Sequence, residues 1–249
     1  MAILTIQNLS HVFSNGTVAF QNINLSINQG DFIVLTGANG SGKTVLIKHL
    51  NGLLIPTEGQ VLLNGQPILK NLVETRKKVG LIFQDSHSQI VGQTVAEDVA
   101  FGPENLNLPR EVIDERVTEA LHSVKLTHLS NHRPHTLSGG QKRRLAVAGV
   151  LAMKPKILVF DEPFTGLDYP GTRQVLLQII SLHQNGHTVI VVTHELEKVL
   201  AHANRLIIME KGNIVKDGDP ADLLDVLENY AIKRPYGLER SIHSMTWLN

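Results

Sequence analysis

Gly37-Ala38-Asn39-Gly40-Ser41-Gly42-Lys43-Thr44 has the spacing of a phosphate-binding loop. Glycines let the backbone wrap round phosphates with its N–H groups turned inward, and Lys43 adds a positive charge at the β- and γ-phosphates. Thr44 can offer its hydroxyl to Mg2+. Before the loop, Phe32 to Thr36 is a continuous apolar run, as a buried parallel strand should be. After it, Val45, Leu46, Ile47 and Leu50 read as a helix ending near Gly52. Strand, loop and helix therefore follow in the order that aims a helix N-terminus at an anion. A chance match to the pattern would occur in about one random chain in a hundred, and this context lowers that further.

Further residues could act on the same triphosphate. Ile157 to Phe160 is an apolar strand that ends in Asp161 and Glu162. Carboxylates at the end of a parallel strand face the crevice where ligands bind. Asp161 would hold Mg2+, and Glu162 would orient or deprotonate the attacking water. His194 ends another apolar strand and could hold the γ-phosphate and the water. Gln84 ends a third, and its amide oxygen could reach Mg2+ or the water. Leu137-Ser138-Gly139-Gly140-Gln141 places a hydroxyl and two glycines just before a helix, a second anion site. One triphosphate has little use for two γ-phosphate cradles in one chain. The economical arrangement is two chains face to face, each lending this segment to the other's nucleotide.

The elements that must position these groups are legible. Ile3 to Phe13 mixes alternating apolar and polar residues and runs into a turn at Asn15-Gly16. Ile23 to Ile27 alternates strictly, and Gln60 to Leu63 leads into Asn64-Gly65, a second hairpin signal. Val79 to Phe83 is a further strand. Pro109 opens a helix with Ile113, Val117, Leu121 and Val124 on one face. Leu145, Ala148 and Ala152 mark another helix after Gly139-Gly140. Strand–helix alternation resumes at Ile157, with a helix from Pro170, a strand Thr188 to Thr193, a helix from Glu195 and a strand Arg205 to Met209. That alternation implies a parallel sheet with helices on its faces.

Composition narrows the function. Among 249 residues Lys+Arg and Asp+Glu each total 23, and zero net charge disfavours a binder that depends on nucleic-acid phosphates. There is no cysteine, so disulfides and thiolate metal sites are ruled out. No apolar run reaches the ~20 residues of a membrane span, so any membrane role would be peripheral. His128, His132 and His135 cluster without an acid or thiol to complete a metal site, and read as solvated loop histidines. Lys142-Arg143-Arg144 reads as a solvated helix start.

Taken in order, these segments resemble the ATP-binding-cassette (ABC) ATPases over nearly the whole chain. The motifs are similar to the Walker A loop, the Q-loop glutamine (Gln84), the signature (Leu137 to Gln141), the Walker B strand with its glutamate (Asp161, Glu162), the D-loop (Thr165-Gly166-Leu167-Asp168) and the switch histidine (His194). The resemblance implies an α/β fold: a P-loop NTPase core with a parallel sheet and an antiparallel β subdomain, plus an inserted α-helical subdomain. The core would span 1–84 and 155–229, the helical subdomain 85–154, and a tail 230–249. It further implies ATP and Mg2+ as cofactors, with Phe13 stacking on adenine. The nucleotide would lie against Gly37, Asn39, Gly40, Ser41, Gly42, Lys43, Thr44 and Val45. Ser138, Gly139, Gly140 and Gln141 would come from the second cassette, with Glu162, His194 and Gln84 catalytic. Thr44, Gln84 and Asp161 would be the Mg2+ ligands. One departure is Val45, where the family usually has a second hydroxyl residue; a missing neutral hydrogen bond costs about 1 kcal/mol. Tyr169 before Pro170 is also unusual.

Two stretches, Gln89 to Gly92 with Thr94 to Gly102, and Lys142 to Met153, look like the ATPases of energy-coupling-factor (ECF) importers, which bring metal ions or vitamins into cells. That resemblance implies a peripheral protein on the cytoplasmic face of the cell membrane. Its partners would be a second cassette, identical or paralogous, an integral coupling protein gripping a groove near Ser86 to Gln93, and a substrate-binding membrane protein. The competing expectation is a soluble ABC ATPase of DNA maintenance or translation. Such proteins usually carry long coiled coils or two cassettes, and this chain has neither.

Overall fold

The computed structural model describes residues 1–235, Ile242, Trp247 and Leu248. The chain opens with a long antiparallel pair, β1 (Ala2–Val12) and β2 (Val18–Asn28), joined where Asn15-Gly16 signals a turn. β3 (Phe32–Thr36) and α1 (Lys43–Leu50) then flank the glycine-rich loop. β4 (Glu58–Leu63) and β5 (Gln66–Pro67) form the second hairpin, with Asn64 at φ 50 and Gly65 at φ 75, the left-handed pair that such turns require. α2 (Leu72–Lys78) and β6 (Val79–Ile82) follow.

Three helices fill the interval before the next strand: α3 (Val95–Asn105), α4 (Arg110–Ser123) and α5 (Gly139–Leu151). Two start with reciprocal capping boxes, Thr94 with Glu97 and Ser138 with Gln141. Beyond them lie β7 (Ile157–Asp161), α6 (Tyr169–Gln184), β8 (Thr188–Val192), α7 (Leu196–Val199), β9 (Arg205–Glu210), β10 (Asn213–Gly218) and α8 (Pro220–Leu223). α2 and β10 have no counterpart in the sequence reading.

The strands make two sheets. The antiparallel one runs β2-β1-β4-β5, and the larger runs β10-β9-β3-β8-β7-β6, parallel except for β10 at its edge. Because side chains alternate along a strand, the larger sheet feeds two cores. Ile33, Leu35, Val159, Ile190 and Ile207 pack with α1 and the antiparallel sheet. Phe32, Val34, Leu158, Phe160, Val189 and Val191 pack with the helices on the other face. Both faces of the parallel strands are thus buried, which explains why they read as unbroken apolar runs.

The tail 230–249 carries no recognisable chemistry in its sequence. Trp247 packs on the opening of α6, its ring 5.5 Å from that of Tyr169 and its face 5.2 Å from Lys198 Nζ, while Arg173 donates to the Leu248 carbonyl at 3.2 Å. Ile232 and Ile242 are buried in the helix-side core, and positions 236–241, 243–246 and 249 lie outside the described residues.

Candidate active site

Parallel strands end on one side of their sheet, and the chemistry collects there. β3 delivers the glycine-rich loop, β7 delivers Asp161 and Glu162, β8 leads to His194 and β6 leads to Gln84. Phe13, Asn39, Gly40, Ser41, Gly42, Lys43, Thr44, Val45, Gln84, Glu162 and His194 all line one cavity of about 480 Å³. Phe13 sits at the end of β1 and is 40% exposed, open to a planar partner.

The loop is tightly constrained. Gly37 has φ 146, and a Cβ there would stand 2.0 Å from the Met209 carbonyl oxygen, so no other residue fits. Lys43 is buried and donates to the carbonyls of Gly37 at 2.7 Å and Ala38 at 2.9 Å. Burial pushes its ammonium below the usual lysine range, and the carboxylates of Glu162 and Asp161 work against that shift.

Asp161 is 5% exposed, and its Oδ1 lies 3.5 Å from the Thr44 hydroxyl. Burial raises its carboxyl above the ordinary carboxylate range, a shift opposed by the Thr44 hydrogen bond. Glu162 adopts φ 48, a left-handed conformation that costs a non-glycine residue about 1–3 kcal/mol. Its N–H donates to the Val192 carbonyl at 2.8 Å, fastening it to the neighbouring strand end. One carboxylate oxygen lies 3.0 Å from His194 Nδ1, and the other is buried with no hydrogen-bond partner. Glu162 thus combines a strained backbone with a spare buried carboxylate oxygen, on the cavity that the glycine-rich loop also lines.

The signature residues do not join this cavity. Ser138 and Gly139 are exposed at the N-terminus of α5, and a Cβ on Gly139 or Gly140 would meet no atom within 4 Å. Ser138 Oγ accepts from Gln141 N at 3.3 Å, and Gln141 Oε1 accepts from Ser138 N at 2.8 Å. Asp168 also lies outside the cavity lining; its Oδ1 accepts from Gly171 N at 2.9 Å and caps α6. The N-terminus of α5 is therefore open toward solvent.

The reading of Lys142-Arg143-Arg144 as a solvated helix start fails at its middle residue. Arg143 is 7% exposed and its guanidinium hydrogen-bonds the carbonyls of Glu162, Gln84 and Thr165. Arg144 is half-buried and donates to the Val124 carbonyl at 3.2 Å. Gln89, one of the residues that resemble the ECF ATPases, holds the start of the segment that follows β6. Its Oε1 accepts from Phe83 N at 2.8 Å and its Nε2 donates to the Leu81 carbonyl at 3.0 Å. Asp98, buried on α3, accepts from the backbone of Val91 and Gly92 and fixes the next stretch. A charge run and an isolated amide carry no local signal for such contacts, because each partner is remote in sequence. His128, His132 and His135 are exposed, as expected of loop histidines.

Residues 20–165 match the family described as ABC transporter. The energy-coupling factor transporter ATP-binding protein EcfA of Methanocaldococcus jannaschii is 42% identical over 252 residues, covering 100% of this chain and 90% of that protein. Among solved structures, cbiO1 of Clostridium perfringens, described as part of the ABC transporter complex cbiONQ, superposes with a TM-score of 0.82 at 34% identity, covering 98% of both chains. A dimeric ATP-binding cassette in a post-hydrolysis state with ADP and Pi superposes at 0.78 with 29% identity, covering 87% of this chain and 98% of that one. With both sequence and fold matched from end to end, the chain belongs to the ABC transporter family, as an ATP hydrolase coupled to transport and most like the energy-coupling-factor ATPases.

Proposed function

We propose that this chain is the ATP-hydrolysing subunit of an ECF-type importer for a metal ion or vitamin, and that it works as a pair of cassettes with two MgATP between them. The observation that carries the paired arrangement is the position of the signature. The cavity gathers the groups that bind phosphate and activate water, whereas Ser138 and Gly140 face outward from an open helix N-terminus. A second subunit would bring that terminus to the nucleotide. The dimeric form of the structural relative with ADP and Pi supports the same geometry.

In this reading Glu162 takes the proton of the attacking water, His194 holds Glu162 and the γ-phosphate, and Lys43 stabilises charge on the phosphates. Mg2+ fits the donors at hand, the Thr44 hydroxyl, the Asp161 carboxylate and the Gln84 amide oxygen. A cation would also offset the burial that disfavours ionised Asp161. Among the described residues no group of three or more His, Cys, Asp or Glu could hold a metal unaided, so the phosphates would complete the shell. Once bound, Mg2+ would neutralise charge developing on the transferred phosphoryl group. Asp168, in the D-loop, would meet the opposing subunit. Closure on ATP and opening after hydrolysis would drive the membrane partners.

No helix of the described residues is long and apolar enough to cross a membrane. Attachment to the cytoplasmic face would run through an integral coupling protein seated near 86–93, where Val91 is 59% exposed. The cargo class rests on the ECF resemblance. Detergent-solubilised membranes from cells carrying a tagged copy test the reading. The chain should co-isolate with integral membrane proteins and, in proteoliposomes, drive ATP-dependent uptake of a metal ion or vitamin. Recovery bound to nucleic acid or ribosomes, free of membrane protein, would contradict it.

Val45 offers a smaller check. It lines the cavity at the third residue of α1, where a hydroxyl could reach phosphate. Val45→Ser should lower the Kd for ATP about fivefold, the equivalent of one neutral hydrogen bond. Titration calorimetry showing unchanged or weaker binding would mean the hydroxyl has no partner there.

A further inference from the structure

Arg143 lies on the second turn of α5, the helix whose first residues form the signature. Its Nη1 donates to the Glu162 carbonyl at 2.9 Å. Its Nη2 donates to the Gln84 carbonyl at 2.9 Å and to the Thr165 carbonyl at 3.4 Å. Three segments that leave the ends of two different strands thus meet on one side chain: the Q-loop, the catalytic glutamate and the start of the D-loop. All three acceptors are main-chain atoms, so the guanidinium fixes backbone rather than charge. The planar fork suits this task, because one rigid group serves several carbonyls at once. The contact falls where the backbone is strained, since Glu162 sits at φ 48 with its N–H tied to Val192 and its carbonyl tied to Arg143. Burial lowers the guanidinium pKa, and the charge of Asp85 opposes that shift. Burying a cation is expensive, and this one is placed where the Gln84, Glu162 and Thr165 carbonyls converge.

We propose that Arg143 is a positioning residue that ties the signature helix of a subunit to that subunit's own Glu162. The proposal rests on the paired-cassette reading. In that arrangement the N-terminus of α5 serves the partner's nucleotide, while Arg143, one turn further on, holds the carboxylate that acts on its own. Engagement of Ser138 by the partner's γ-phosphate would then be felt at Glu162 through a single helix. The two ATP sites would be coupled by this route, and Arg143 would touch neither nucleotide.

The test is steady-state hydrolysis by Arg143→Gln beside the wild type, with ATP-driven dimerisation followed by light scattering. The expected result is a fall in kcat of at least tenfold, KM for ATP within about threefold, and a Hill coefficient reduced toward 1, while dimerisation persists. Arg143→Lys keeps the stem and the charge but loses the fork; it should recover part of the kcat and none of the cooperativity. It also serves if the glutamine variant does not fold. Unchanged kcat and Hill coefficient in a folded variant would overturn the positioning role. A proportional loss of ATP binding and hydrolysis would also overturn it, because that is the signature of general destabilisation. A wild type that shows no ATP-driven dimer would instead defeat the paired-cassette reading, so the two failures are separable.

Discussion

Glu162→Gln should retain ATP binding and lose at least a hundredfold in kcat. The amide has nearly the shape of the carboxylate, so the contact to His194 Nδ1, 3.0 Å in the native protein, can be kept. The strained backbone at φ 48 is unaffected, since it is held by Val192 on one side and Arg143 on the other. What disappears is the ability to accept a proton from water. General-base catalysis contributes about 10²–10⁴-fold, which sets the size of the loss. Phosphate release gives kcat, and nucleotide titration gives the affinity. Turnover within a few fold of wild type would remove Glu162 from the role assigned to it. Stalled turnover has a further consequence: on the paired-cassette proposal, the variant should accumulate a closed, ATP-loaded pair.

Ser138→Arg should abolish that pair without touching the monomer's own nucleotide site. Ser138 is exposed, lies outside the cavity lining, and its hydroxyl accepts from Gln141 N in its own capping box. Loss of an N-cap costs about 1 kcal/mol, too little to unfold a chain of this size. The arginine side chain, however, would occupy the space in which a partner's γ-phosphate must sit. ATP binding to the monomer should stay within about threefold of wild type, whereas ATP-driven dimerisation and cooperative hydrolysis should vanish. Light scattering that still reports a dimer on addition of ATP would mean that Ser138 does not face the partner's nucleotide.

Both predictions rest on residues that the sequence places, and the reason is local. The phosphate loop, Asp161, Glu162, His194 and Gln84 each follow a continuous apolar strand, and a parallel sheet brings all such ends to one side. Strand periodicity therefore predicts which residues are brought to this side of the sheet as well as the fold. The same logic fails for β10, where Lys216 and Asp217 at a sheet edge break the apolar pattern. It fails for α2, seven residues with little apolar content and a cap at Asn71. Arg143 departs from the expected solvated helix start for a different reason. Its neighbours Lys142 and Arg144 make a charge run, and only the convergence of Gln84, Glu162 and Thr165 in space decides that the middle cation is buried. Trp247 likewise meets Tyr169 and Lys198 only once the tail has returned to α6.

The most direct measurement is a structure of the Glu162→Gln protein with MgATP. The account predicts a two-fold pair in which Ser138 Oγ and the Gly140 N–H of one subunit lie within hydrogen-bond distance of the γ-phosphate held by Lys43 of the other. An ATP-loaded pair with those groups remote from any nucleotide would contradict it.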